Sequence, residues 1–306
     1  MPMSDKKLFR VGKVKKVYEV DSNTLEFEFT NNISVFDKII PSDIPFKGET
    51  LCRTSAHWFK LLKENGIRSD FKEMNGPNRM LVKRVEVIPD YSKLNHKTTN
   101  YLIPLEFICR HYNAGSLNDR VKEGRVTPEM MGFPKGHDPA YGERLPKDFI
   151  EATTKLEETD RELTHDEAIR ISGLTSEEYD HVFEVIGKID TIIATEVGKR
   201  GLIHVDGKKE FAYDEDRNLM IVDTFGTADE DRWWDAAQYA QGKCVELSKE
   251  MVRQYYRDIG YHEKLYAARK NHMQEPDIPA LPLEMVEKVS RLYIDLYERL
   301  TGERFR

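Results

Sequence analysis

The run from Asp206 to Asp223, DGKKEFAYDEDRNLMIVD, leaves the chain few choices of local structure. Strand side chains alternate between faces, so Asp206, Lys208 and Glu210 line one side of a strand whose other side carries Lys209, Phe211 and Tyr213. A polar turn over 214–218 leads into a second apolar strand, 219–223, which predicts an antiparallel hairpin with Glu210 near Asp223. Two carboxylates on neighbouring strands repel each other and call for a cation, and oxygen-only ligands suit magnesium. Lys208 between them would hold an anion. A solvated hairpin edge with scattered charge is the plainer alternative, and for an isolated pair of acids it is the commoner one.

A chain of 306 residues can hold one large domain or two ordinary ones. A third of its residues are charged and the net charge is −7, which disfavours nucleic acid or an anionic membrane as a general partner. The N-terminus MPMSDKKLFR has no apolar run behind its charges, and no stretch approaches the roughly 20 apolar residues of a membrane span. A cytoplasmic protein is expected. Cys52, Cys109 and Cys244 are far apart and lack C-x-x-C spacing, so they read as packing residues rather than as disulfide or zinc-thiolate partners.

From Lys7 to Thr30 the alternation predicts two strands joined at Asp21-Ser22-Asn23, with Leu25, Phe27 and Phe29 on one face. The first carries G-K-V-K-K-V-Y: Gly12 permits close backbone approach to a ligand, and Lys13 and Lys15 project to the same side, where they would neutralise phosphates. NNISVFDKIIPSDIPFKGETL, containing Ser34 and Asp37, reads as a polar loop punctuated by Gly and Pro. Thr54–Leu62 predicts a short helix with Trp58 and Phe59 in the core. Further strands are expected over Met80–Val87, which includes Lys83, and Ile103–Tyr112. Beyond the second, Arg110 and Ser116 beside Gly115 would make a phosphate cradle. Residues 121–150 predict an irregular excursion over the site. Thr175–Glu178 is a capping box opening a packing helix that ends by Gly201, and Pro282 to Gly302 bound a helix whose apolar face fits either the core or a homo-oligomer contact.

Taken together, D-x-K-x-E-F from Asp206, the strand ending at Asp223, Asp229 and Arg232, the G-K-x-K-x-V-Y strand, S-V-F-D with K-G at Lys47-Gly48, and R-x-x-x-x-G-S from Arg110 closely resemble the SAICAR synthetases. The resemblance implies an α+β, two-lobed fold: an N-terminal antiparallel-sheet lobe like the kinase small lobe over 1–87, and a larger ATP-grasp-like mixed lobe over 88–306. It implies ATP-dependent condensation of CAIR, a carboxylated aminoimidazole ribonucleotide, with L-aspartate through an acyl phosphate. In that scheme Gly12, Lys13, Lys15 and Lys83 serve ATP, and Glu210 and Asp223 hold Mg2+. Ser34, Arg110, Ser116, Lys208, Asp229 and Arg232 bind substrate, with Lys208, Asp206 and Asp37 as the catalytic or orienting groups. Thr153, Thr154, Lys155, Glu157 and Asp160 match a further family element of ambiguous chemistry.

The chain departs from the family pattern at Gly207, usually Thr or Phe, at Thr224, usually Glu, and over Thr227–Arg232, usually T-P-D-S-S-R. These changes bear on the amine pocket. They leave open a ligase of this fold with another amine or acid, or a nucleotide-binding homologue without catalysis. Strand alternation places Thr224 on the face opposite Asp223, away from the metal.

Overall fold

A computed structural model describes residues 6–306. Its N-terminal sheet has five strands in the order β1-β2-β3-β7-β6: β1 Lys7–Val11, β2 Lys15–Asp21, β3 Thr24–Phe29, β6 Phe71–Met74 and β7 Arg79–Lys83. Where alternation predicted two strands before Thr30 there are three, because the chain turns at Gly12, whose N–H donates to the Lys15 carbonyl at 2.8 Å. Leu25, Phe27 and Phe29 do share the buried face, Phe27 opposite Val17. A two-stranded ribbon, β4 Asn32–Val35 and β5 Lys38–Asp43, follows, with Phe36 and Asp37 at positive φ of 50° and 64° in its turn.

Helix α1 spans Lys47–Glu64, seven residues earlier than the apolar pattern predicted. Its first turns are polar, K-G-E-T, yet they are buried against β3. A Cβ at Gly48 would meet the Phe29 carbonyl oxygen at 2.4 Å, so only glycine lets the helix start there. Trp58 and Phe59 are core residues as expected.

The second sheet runs β11-β10-β8-β9, with β12 also on β10: β8 Tyr101–Tyr112, β9 Arg144–Thr154, β10 Leu202–Tyr213, β11 Leu219–Val222 and β12 Asp231–Asp235. β9 was hidden in the supposed irregular excursion because it is an edge strand, where charge and Pro146 are tolerated. The rest of that excursion closes over its own small core of Leu117, Val126, Met131, Phe133 and Leu145. Helices α2 Gly115–Lys122, α3 His165–Ser172 and α4 Ser176–Gly198 follow β8 and β9. The capping box of α4 is formed in both directions, between Thr175 and Glu178. After β12 come α5 Ala236–Tyr239, α6 Glu250–Asp258, α7 Tyr261–Lys270 and α8 Leu283–Thr301. The apolar face of α8 packs against α1 and α4 and buries Val289, Tyr293, Leu296 and Leu300, so it belongs to the chain's own core. Among the described residues no helix is long and apolar enough to cross a membrane.

Candidate active site between the two sheets

The hairpin forms as the alternation predicts. β10 pairs with β11 in the register Glu210↔Val222, which leaves Asp223 one residue past the strand end and beside Glu210. Both line a cavity of about 320 Å³ between the N-terminal sheet and β10–β11. Lys208 bonds Glu210 at 2.6 Å and Glu106 at 3.1 Å, Lys155 lies 2.5 Å from Glu210, and Lys15 pairs with Asp223. Removal from water alone would raise the Asp223 carboxyl pKa, but the ammonium groups of Lys15, Lys155 and Lys208 outweigh it and hold it well below the usual range. The same contest leaves Glu210 lowered by Lys208 and Lys155, while Glu106, where burial dominates, is raised. Two ionised carboxylates with hard oxygen donors, side by side at the floor of a cleft, fit a magnesium ion. Lys15 and Lys155 now neutralise them, and such an ion would compete with both.

Alternation fails at the end of β11. Asp223 has a φ of 63°, in the left-handed region that non-glycine residues avoid, so the backbone turns at the end of β11. Thr224 therefore lines the same cavity as Asp223, contrary to the expectation that it faces away.

Gly12, Lys13, Lys15 and Lys83 all line this cavity. Its wall is apolar at Val17, Leu25, Val85, Val87, Leu102 and Val222, a surface suited to a flat heterocycle, while Lys15 and Lys155 lie at the carboxylates. Lys15 also sits over the Phe27 ring at 4.2 Å. Lys13 reaches across to Asp37 at 2.8 Å, an exposed pair, and Lys83 pairs with Glu215. Lys155 and Glu106 were not picked out for this floor. Only β9 beside β8 brings Lys155 to it, although T-T-K was visible as a family element.

A second, wider cavity of about 870 Å³ holds Asp37, Ser116 and Arg232 together with Arg253 and Arg257. The Lys13–Asp37 pair thus joins one cavity to the other. Arg232 pairs with Asp206 and with Glu246 at 3.1 Å, and its guanidinium lies within 2.6 Å of where a Cβ on Gly115 would stand, so the Gly turn is what admits it. Arg110 bonds Ser116 Oγ at 3.2 Å and Glu151 at 2.8 Å, beneath this cavity rather than in its wall. Asp229 lies elsewhere. It is locked to Lys47 at 2.7 Å and to the Tyr293 hydroxyl at 2.6 Å, in the wall of the first cavity. Ser34 sits within β4 opposite Ile39 and lines neither cavity. Arg253 and Arg257, both bonded to Glu250 on α6, were missed because R-x-x-x-R on a surface helix has no distinctive signature.

Behind the sheet lies a second polar cluster. Simple alternation puts Gly207 and Lys209 on the face toward α4, opposite Asp206, Lys208 and Glu210, and a bulge between His204 and Asp206 brings His204 onto that same face. Gly207 is therefore no part of the amine pocket. Lys209 and Asp190 are fully buried and 2.5 Å apart. His111 touches Asp148 at 2.7 Å and Asp190 at 3.2 Å, and His204 touches Asp231 at 2.7 Å. Burial alone would lower the His111 pKa, but the bonds to Asp148 and Asp190 outweigh it and push it up to about 9. The Lys209 ammonium already supplies the charge that a metal among these histidines would have to displace.

Comparison with known proteins agrees with this geometry. The SAICAR synthetase family profile matches residues 8–268. The phosphoribosylaminoimidazole-succinocarboxamide synthase of Thermoplasma volcanium is 56% identical over 299 residues, covering 98% of this chain and all of the relative. Among solved structures, the SAICAR synthase from Saccharomyces cerevisiae complexed with SAICAR superposes with a TM-score of 0.76 at 25% identity, covering 100% of this chain and 98% of that one. A SAICAR synthetase in complex with ADP gives 0.69 at 25% identity, covering 98% and 100%.

Proposed function

Since this chain belongs to the SAICAR synthetase family, we propose a division of labour in which the smaller cavity takes ATP and the wider one takes CAIR and L-aspartate. The chain is an ATP-dependent carbon–nitrogen ligase of purine biosynthesis that joins CAIR to aspartate. Identity above half over the full chain favours this over a different acid or amine. The observation that carries the division is the pair of carboxylates, Glu210 and Asp223, at the floor of a cleft whose opposite wall carries Lys13 and Lys15.

A carboxylate oxygen leaves poorly, so the acid must be activated before an amine can displace it. A CAIR carboxylate oxygen attacks the γ-phosphorus of ATP, ADP leaves, and the aspartate amine then attacks the acyl carbon and expels phosphate. Such transfer asks mainly for positioning and charge neutralisation. Lys13 and Lys15 bind the phosphates from the N-terminal lobe, and Lys155 and Lys208 neutralise them from the other. Glu210 and Asp223 hold Mg2+, which screens phosphate charge when bound. Ser116 and Arg232, with Arg110 beneath them, anchor the anionic groups of CAIR, and Arg253 and Arg257 supply the positive charge that the aspartate carboxylates require. Asp37, paired with Lys13 where the cavities meet, and Asp206, paired with Arg232, orient the incoming amine. Asp229 acts from the wall, by fixing Lys47. The lobe boundary falls near residue 87, and a cytoplasmic location follows from the pathway. An ADP-release assay with ATP, CAIR and a panel of amino acids tests the reading; turnover with an amine other than aspartate, or none with any, refutes it.

A further inference from the structure

We propose that Asp231 is a positioning residue for the nucleotide cleft, holding the 224–230 loop from behind the central sheet in space that Gly207 leaves open. A Cβ on Gly207 would stand 1.9 Å from Asp231 Oδ2 and 2.9 Å from His204 Nε2. The Asp231 side chain is fully buried. Its Oδ1 accepts the Gly226 N–H at 2.7 Å, and its Oδ2 accepts from His204 Nε2 at 2.7 Å. A carboxylate only accepts, so Nε2 is the protonated nitrogen. The Asp231 N–H also closes the loop onto the Thr227 carbonyl at 3.0 Å. From the other side, Trp58 Nε1 donates to the Gly226 carbonyl at 2.9 Å. Gly226, at a φ of 65°, is thus gripped by both α1 and β12.

The front of the same loop carries Thr224, Thr227, Asp229 and Glu230 into the cavity. A buried carboxylate is costly unless its oxygens are bonded, so the loop backbone and His204 are what make Asp231 tolerable there. Positions 207 and 231 both depart from the family pattern. The geometry couples them, because the Asp231 carboxylate fills the space that a side chain at 207 would need. The inference rests on the reading that this cavity takes ATP.

The test uses the full chain, with kcat and the KM for ATP measured by ADP release, CAIR binding by calorimetry, and thermal melting. Asp231→Asn keeps an oxygen for Gly226, and His204 can move its proton to Nδ1, which faces Asp190 at 3.9 Å; kcat/KM for ATP stays within about threefold of wild type. Asp231→Ala lowers it by tenfold or more, on the order expected for a displaced binding loop, while CAIR affinity stays within about twofold. Gly207→Thr alone is more damaging than Gly207→Thr combined with Asp231→Ser. Should the single variant fail to fold, recovery of a folded, active double variant still supports the coupling. Asp231→Ala with a lowered melting temperature but unchanged ATP kinetics makes the residue merely structural and overturns the proposal, as does a double variant no better than Gly207→Thr. Lys15→Met that weakens CAIR binding by calorimetry but leaves the KM for ATP unchanged overturns the placement of ATP itself.

Discussion

Replacing Glu210 by Gln tests the cleft floor most directly. The side chain keeps its size, so no cavity forms, but Lys208 at 2.6 Å and Lys155 at 2.5 Å lose their shared anion. Stripping one partner from a buried ion pair costs about 3–5 kcal/mol. Glu106 remains, 3.1 Å from Lys208 and 3.5 Å from Lys155, and both lysines retain some contact with water. The loss is therefore nearer about 2–3 kcal/mol, a shift of roughly 30- to 150-fold in the unfolding equilibrium. Urea titration of the enzyme without nucleotide reads this number. The second consequence is catalytic: with a single carboxylate left for Mg2+, kcat falls by about 100-fold or more and is not restored by excess magnesium. Near-normal turnover at saturating magnesium refutes the metal assignment. Unchanged stability refutes the argument that the lysines depend on Glu210.

Three further outcomes follow from other residues. Lys15→Met removes a charged partner of the phosphates and raises the KM for ATP roughly 10- to 100-fold, with CAIR affinity by calorimetry unaffected; the reverse pattern exchanges the two cavities. Thr224→Glu adds a third carboxylate to the wall that holds Asp223, so the KM for MgATP rises about fivefold, the size of roughly 1 kcal/mol of like-charge repulsion, and the magnesium optimum shifts. An effect confined to the KM for aspartate refutes that placement. His111 is raised to about 9, so its stabilising bonds are fully present below its unfolded pKa of about 6.5 and are lost as pH rises through about 9. Melting of wild type minus that of His111→Gln then shows up to about 3 kcal/mol disappearing over that window; a difference independent of pH refutes it.

Much of the site could be read from the residues in order, because its central unit is local. A hairpin joins residues close in sequence, so Glu210 and Asp223 are expected near one another before any tertiary contact is considered, while the exact register, Glu210 opposite Val222, is decided by the fold. Caps and stripes likewise placed α4 and α8, since a capping box and three-and-four spacing depend only on near neighbours. Where the backbone leaves regular strand geometry, the pattern misleads: the turn at Asp223 moves Thr224 into the nucleotide cleft, and the bulge after His204 brings that histidine onto the face of Gly207 and Lys209. Nothing in the run of letters marks either event, because a bulge is stabilised by what packs on it, here Asp231, His204 and Trp233. Edge position hid β9 and with it the route by which Lys155 reaches Glu210. Close approach hid the start of α1, whose polar first turns are buried only because Gly48 lets the helix touch β3. Residues that belong to the site by distance in space, Glu106 on β8, Lys155 at the end of β9, and Arg253 and Arg257 on α6, come from three separate parts of the chain, and packing between them brings their charges together.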